Sequence, residues 1–207
     1  MDSRRSFLLK SAGLALASRL NAQQPFDSLP ASVWKHARQN GLIMIHRDTP
    51  SELFSHAQIA APGEPGEPLA VQGQVFAPDG RTPAAGVTVY AYNTDAEGYY
   101  GANRTEYPPR IYGWMKTDSA GRFELHTILP GHYPNMRVPA HVHFELWGGG
   151  YPIQWAEAVQ FVGDSYLTRD MLAEDDKRRK FRTVREVRGG RCEYQIQVGL
   201  ESNYSVG

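Results

Sequence analysis

Two histidines separated by a single residue, His141 and His143, lie in a stretch from Val138 to Trp147 with the composition of a β-strand. Side chains alternate across a strand, so both imidazoles share one face while Val142, Phe144 and Leu146 take the other. Two imidazoles so placed can bite one metal ion. Standing alone, a His-x-His pair is more often a surface or hydrogen-bonded pair, so the oxygen donors decide. Tyr133 sits in the proline-bracketed turn Pro130 to Pro134, just before that strand. Tyr99 and Tyr100 sit in a loop between Gly98 and Gly101. A phenol has a pKa of about 10, but a hard trivalent cation beside it holds it as phenolate. Two phenolates and two neutral imidazoles suit Fe(III) and leave a position open for hydroxide or substrate. Any one of these tyrosines reads better as packing with a satisfied hydroxyl, and only the set carries the chemistry.

These residues need a rigid frame, and the sequence from Leu69 onward supplies strands. Leu69 to Phe76 alternates apolar and polar residues and stops at Pro78, Asp79 and Gly80. Val87 to Tyr92 is β-branched and aromatic, and Trp114 to Thr117 leads into a turn ending at Gly121. Arg122 to Ile128, Ala140 to Trp147 and Ala156 to Val162 read as further strands. Glu174 to Lys180 is a charge run, read as a solvated face or helix. Thr183 to Val187 and Arg191 to Val198, about Gly189 and Gly190, read as a closing hairpin. No internal repeat is visible. The fold class is all-β: a β-sandwich of short antiparallel strands over residues 69–207.

Before it, residues 23–68 form a polar lead. Ser32 to Asn40 reads as a short helix stopped by Gly41, and Ala61 to Pro68 as a linker. Residues 1–22 read as a twin-arginine export signal. Arg4 and Arg5 are followed by Ser6 and Phe7, then by an apolar run to Ala17 and small residues near Ala22. That run is too short to span a bilayer and Arg19 interrupts it, so no stable membrane insertion follows processing. A periplasmic or secreted location is the expectation. The chain carries 22 Lys plus Arg against 22 Asp plus Glu, which gives no electrostatic reason for a nucleic-acid partner. Cys192 is the single cysteine, so no internal disulfide forms, and it reads as a buried small side chain in a late strand.

Several motifs together resemble the intradiol ring-cleavage dioxygenases, the protocatechuate and catechol dioxygenase type. They are the loop Gly98 to Tyr100, the turn Thr117 to Phe123, the run Thr127 to Pro134, the run Pro139 to Phe144, and Phe161 to Asp164. Their order and spacing match from about Pro68 to Asp164. The resemblance implies a β-sandwich binding Fe(III) through Tyr100, Tyr133, His141 and His143, with Tyr99 as runner-up for the first tyrosine. It implies a small aromatic diol and O2 as substrates and a muconate-type diacid as product, with Tyr133 or Tyr100 as the ligand that the diol displaces and Tyr133 favoured by its position in the family's pattern. It leaves room for a homo-oligomer. Two departures concern the substrate. The family's usual arginine before Pro-Ala-His is Val138 here, with Arg137 one residue earlier as the nearest cation and a candidate catalytic residue. The long helical N-terminal segment of the catechol-type members has no counterpart in the short lead.

Three other readings compete. A non-catalytic transthyretin-like sandwich shares the hairpin motifs but has no need of His141 and His143. A cupin-type metal enzyme places a glutamate farther on, whereas Glu145 lies two residues beyond His143 on the same face. An intradiol homologue that has lost or changed its ring substrate fits the Val138 departure. A serine hydrolase is disfavoured, since no Gly-x-Ser-x-Gly occurs.

Overall fold

The computed structural model describes residues 49–104 and 109–201. The twin-arginine segment and the helix read over Ser32 to Asn40 lie outside them. Among the described residues no helix is long and apolar enough to cross a membrane.

Nine strands follow in order: β1 His56–Gln58, β2 Pro68–Phe76, β3 Val87–Asn93, β4 Ile111–Lys116, β5 Arg122–Ile128, β6 His141–Gly148, β7 Tyr151–Phe161, β8 Val184–Arg185 and β9 Arg191–Gln197. One sheet has the order β1-β5-β2-β9 and the other β4-β3-β6-β7-β8. Period-two alternation drives them together. Val71 and Val75 of β2, Leu125 of β5, and Tyr194 and Ile196 of β9 meet Val89 and Ala91 of β3 and Val142, Phe144 and Leu146 of β6 in one buried core. The all-β sandwich read from the sequence is the fold observed.

Differences from that reading concern pairing. Three pairings are parallel: β1 with β5, β2 with β9, and β7 with β8. The closing hairpin does not form. Val184 and Arg185 run beside Gln160 and Phe161 in one sheet, while Arg191 to Gln197 runs beside β2 in the other. Gly189 and Gly190 therefore turn the chain from sheet to sheet, with a single bridge between Arg188 and Arg191. The same turn chemistry serves a hairpin and a sandwich corner, and only the free edge of β2 decides between them. β7 begins five residues before Ala156, because Pro152 masks its start in the sequence. β1 lies inside the stretch read as lead, and Ile59 and Ala60 just after it are buried. The charge run is partly helical, in α1 Arg169–Asp176. Asp175 is buried there, accepting from the Thr183 N–H at 2.6 Å and the Val184 N–H at 3.1 Å, which ties α1 to β8. Cys192 is buried as expected, and burial pushes its thiol up to about 11, which makes it a poor nucleophile.

The five-stranded sheet is packed on both faces around β3, every residue of which is buried. Its inner side carries Val87, Val89 and Ala91. On its outer side Tyr90 and Tyr92 join Tyr100 and Tyr112 in a second cluster, against which Trp114, Tyr133, Trp147 and Ile153 pack. This outer face, away from the core, carries His141 and His143.

Candidate metal centre

β6 puts the imidazoles where alternation requires: Val142 and Phe144 are wholly buried in the core, and His141 and His143 emerge on the other side. Register fixes what stands beside them. Tyr92 of β3 lies opposite His143, and their rings stack at 4.6 Å and 15°. Gln160 of β7 lies opposite His141.

The tyrosines arrive on two loops that touch. Residue 98 cannot carry a side chain: a Cβ there would lie 1.7 Å from the His132 carbonyl oxygen, and the backbone has φ +91°. A Cβ on residue 131 would lie 2.4 Å from the Ala96 carbonyl oxygen. With glycine at both places the backbones interlock. The Gly131 N–H donates to the Asp95 carbonyl at 2.8 Å, and the Thr94 hydroxyl donates to the Gly131 carbonyl at 2.8 Å. Asp95 also shapes its own loop. Its carboxylate accepts the Glu97 and Tyr99 N–H groups, an Asx-type turn, and its N–H donates to the Tyr99 carbonyl. Arg110 clamps the loop from outside, bidentate to Glu64 at 2.6 Å and 3.3 Å from Asp95, while its own N–H donates to the Tyr100 carbonyl.

Four side-chain atoms then converge. The Tyr100 and Tyr133 hydroxyls meet each other. His143 Nε2 lies 2.8 Å from the Tyr100 hydroxyl, 3.2 Å from the Tyr133 hydroxyl and 2.9 Å from His141 Nε2, which is 3.0 Å from the Tyr133 hydroxyl. His141 Nδ1 donates to the Pro139 carbonyl at 2.7 Å, so in the neutral ring Nε2 carries the lone pair and aims it at the cluster. Burial holds both imidazoles neutral: it lowers His141, and with the neighbouring His141 it takes His143 down to about 3. Burial pushes the Tyr133 phenol up, with the Tyr100 hydroxyl acting the other way. Two phenol protons can bridge only two of the five close contacts among these four atoms, and one cation among them would be faced by all four lone pairs. The donor set therefore fits a hard metal ion. Among the described residues no group of three or more His, Cys, Asp or Glu offers a rival site. All four residues named from the sequence come together, and Tyr99 does not join them.

Comparisons with known proteins place the chain in a family. A family model described as Dioxygenase matches residues 44–197. The 6-chlorohydroxyquinol 1,2-dioxygenase of Cupriavidus pinatubonensis is 28% identical over 191 residues, 83% of this chain and 65% of that protein. The protocatechuate 3,4-dioxygenase beta chain of Burkholderia cepacia is 31% identical over 53% of this chain and 52% of its own length. The chain belongs to the intradiol dioxygenase family. It spans about two thirds and about half of these two relatives' lengths. The dioxygenase domain of a dioxygenase carbohydrate-binding protein fusion from Streptomyces sp. SirexAA-E shares the fold. Its TM-score is 0.53 at 22% identity, over 73% of this chain and 92% of that one.

This intradiol chain also carries positioning groups that the sequence motifs conceal. Asp164 Oδ2 accepts the Ala140 N–H at 2.8 Å, just before His141, and meets His132 Nε2 at 2.9 Å, just before Tyr133. One carboxylate thus aligns the histidine strand with a tyrosine loop. Burial opposes its ionisation, but the Tyr166 N–H, His132 and the Ala140 N–H together hold its carboxyl below the usual range. Asp164 was visible as part of a motif, but nothing in sequence spacing reveals its partners. Arg110 and Glu64 left no signal either, being 46 residues apart. Arg137 lies exposed on the loop after Tyr133, its guanidinium 6.0 Å from the Tyr166 ring centroid.

The imidazoles set a pH dependence. His143 stays neutral in the folded chain to about 3, whereas an unfolded imidazole takes its proton near pH ~6.5. Below ~6.5 the unfolded state binds more protons, so stability of the metal-free protein falls as pH drops through that window. Urea unfolding in chelator at pH 7 and pH 5, where most carboxylates stay ionised, should show the loss, and His143→Gln should flatten it. An equally steep variant would assign the dependence to other groups.

Proposed function

We propose that this chain is a non-haem Fe(III) dioxygenase performing intradiol cleavage of a catechol-like ring with O2 to a muconate-type diacid. The observation that carries the reading is the convergence of Tyr100, Tyr133, His141 and His143, two oxygens that a hard trivalent ion would hold as phenolates and two neutral nitrogens. These four would hold the metal. When bound, Fe(III) supplies Lewis acidity and draws electron density from the diol ring, which opens the ring to dioxygen. The chain's residues do the rest. Tyr100 is buried and anchored through Asp95 and Arg110, which suits a permanent ligand. Tyr133 is only partly buried, on a loop held from one side by Asp164 through His132. It suits the ligand that gives way, its phenolate oxygen taking a proton from the incoming diol. His141 and His143 remain neutral and fixed.

The reading predicts a coloured protein. Phenolate bound to Fe(III) absorbs in the visible, so the loaded protein should be red to burgundy with about one iron per chain. Anaerobic catechol should shift the band. His141→Ala or His143→Ala should abolish iron binding. Val142→Ala, directed into the core, should cost about 2 kcal/mol of stability and leave the spectrum intact. A colourless protein after Fe(III) reconstitution would sink the proposal in favour of a non-catalytic sandwich.

Arg137 is proposed to supply the cation that Val138 does not, stabilising charge on the attacked ring. Arg137→Ala should lower kcat/KM on catechols with normal iron content, and an unchanged value would leave Arg137 as a surface residue.

Export is proposed from Arg4 and Arg5 alone. Changing both to lysine should trap the precursor in the cytoplasm. Undiminished periplasmic recovery would remove the twin-arginine route.

A further inference from the structure

His143 has an aromatic ring on either side, and the two differ in exposure. Tyr92 of β3 stacks on it and is buried. Trp155 of β7 meets it edge-on, with centroids 6.4 Å apart at 66°, and is 37% exposed. The β3 side of the four-atom cluster is closed, since Tyr92 and Tyr100 pack on each other there and both are buried. The β7 side is built differently. Val142 pairs with Val159 and Phe144 with Ala156, so Glu157 and Ala158 together stand against His143 alone. Such a bulge bends its strand and re-aims the flanking side chains, and bulges gather beside active sites. The Tyr194 hydroxyl pins this one by donating to the Glu157 carbonyl. Trp155 lies on one side of the bulge, and Gln160, opposite His141, lies on the other.

A diol that chelates a metal at the cluster must extend its ring away from the closed side. We propose that Trp155 is the ring-contacting residue of the site: its indole forms the wall against which the aromatic ring of a bound ortho-diol packs. Aromatic pairs favour centroid separations of roughly 4.5–7 Å in offset or edge-on arrangements. Trp155 already stands within that reach of a ring bearing one of the donor atoms. The wall selects for aromaticity, and chelation selects for adjacent hydroxyls. This assignment rests on the Fe(III)–diol reading given above.

The test is anaerobic titration of the iron-loaded protein with catechol, read from the new visible band, so that no turnover is needed. Trp155→Ala should weaken catechol binding about tenfold at unchanged iron content, and Trp155→Phe should restore most of it. Acetohydroxamate, an aliphatic bidentate oxygen chelator, should bind the variants and the wild type alike. Trp155→Leu keeps apolar bulk without a ring and gives a second measure should alanine disturb β7. Phe54→Ala, an exposed aromatic whose backbone joins β4 on the other side of β3 from β7, should have no effect. Catechol affinity unchanged in Trp155→Ala and Trp155→Leu would overturn the assignment while the dioxygenase reading stood. A wild type that gains no catechol band would sink that reading, and this assignment with it.

Discussion

Tyr100 and Tyr133 can meet the histidines only because two loops touch backbone to backbone. The contact between residues 96–98 and 131–132 leaves no room for a Cβ at either glycine, and it fixes how far apart the tyrosine-bearing segments stand. Each loop has its own fastening: Asp95, Arg110 and Glu64 for one, Asp164 through His132 for the other. The fastenings would be useless if the contact between the loops were looser by the width of a methyl group. Metal donor sets tolerate displacements of only a few tenths of an ångström, and a side chain at residue 98 would demand far more. Packing precision at a pair of glycines is therefore upstream of the chemistry.

The electrostatics follow from that geometry. Four donor atoms pressed together away from water cannot all be charged, and the protein resolves this by keeping the imidazoles neutral through burial. The Tyr133 phenol is also driven toward its neutral form by burial. The bare pocket thus disfavours charge at every member for which a shift is resolved. Only a multiply charged cation reverses the preference at the phenols without disturbing the imidazoles, because it binds the neutral form of one and the anionic form of the other.

Legibility in the sequence divided along the same line as the physics. Alternation is a local signal, so β2, β3, β5 and β6 were readable within a residue or two, as was the face shared by His141 and His143. Turn chemistry is local as well, which is why Gly98 and Pro130 to Pro134 marked the tyrosine loops. Partner choice is not local. Gly189 and Gly190 looked like a hairpin and proved a corner between sheets, and β1 hid in a polar stretch because three residues are too few for a period. Asp164 and Arg110 act across tens of residues of sequence, so a carboxylate or guanidinium at those places carried no mark of its role. Trp155 was hidden twice over, by the proline that masks the start of β7 and by a bulge that alternation cannot foresee.

The division of the five-stranded sheet into two faces explains how a stable frame and an adjustable site share the same strands. The inner residues of β6 sit at the centre of the sandwich, where a change of one methylene is felt throughout. The outer residues touch loops and each other. Substitutions at Val138, Trp155 or Gln160 alter what surrounds the donor cluster without entering the core, whereas substitutions at Val142 or Phe144 alter the core without reaching the donors. The replacement of an expected arginine by Val138 belongs to the first kind. It changes the charge beside the donor cluster and leaves intact the alternation that aims His141 and His143. A chain can therefore keep its donor arrangement while the neighbourhood of the cluster drifts, and in this chain Tyr92 and Trp155 flank His143 while the Arg137 guanidinium lies over the Tyr166 ring.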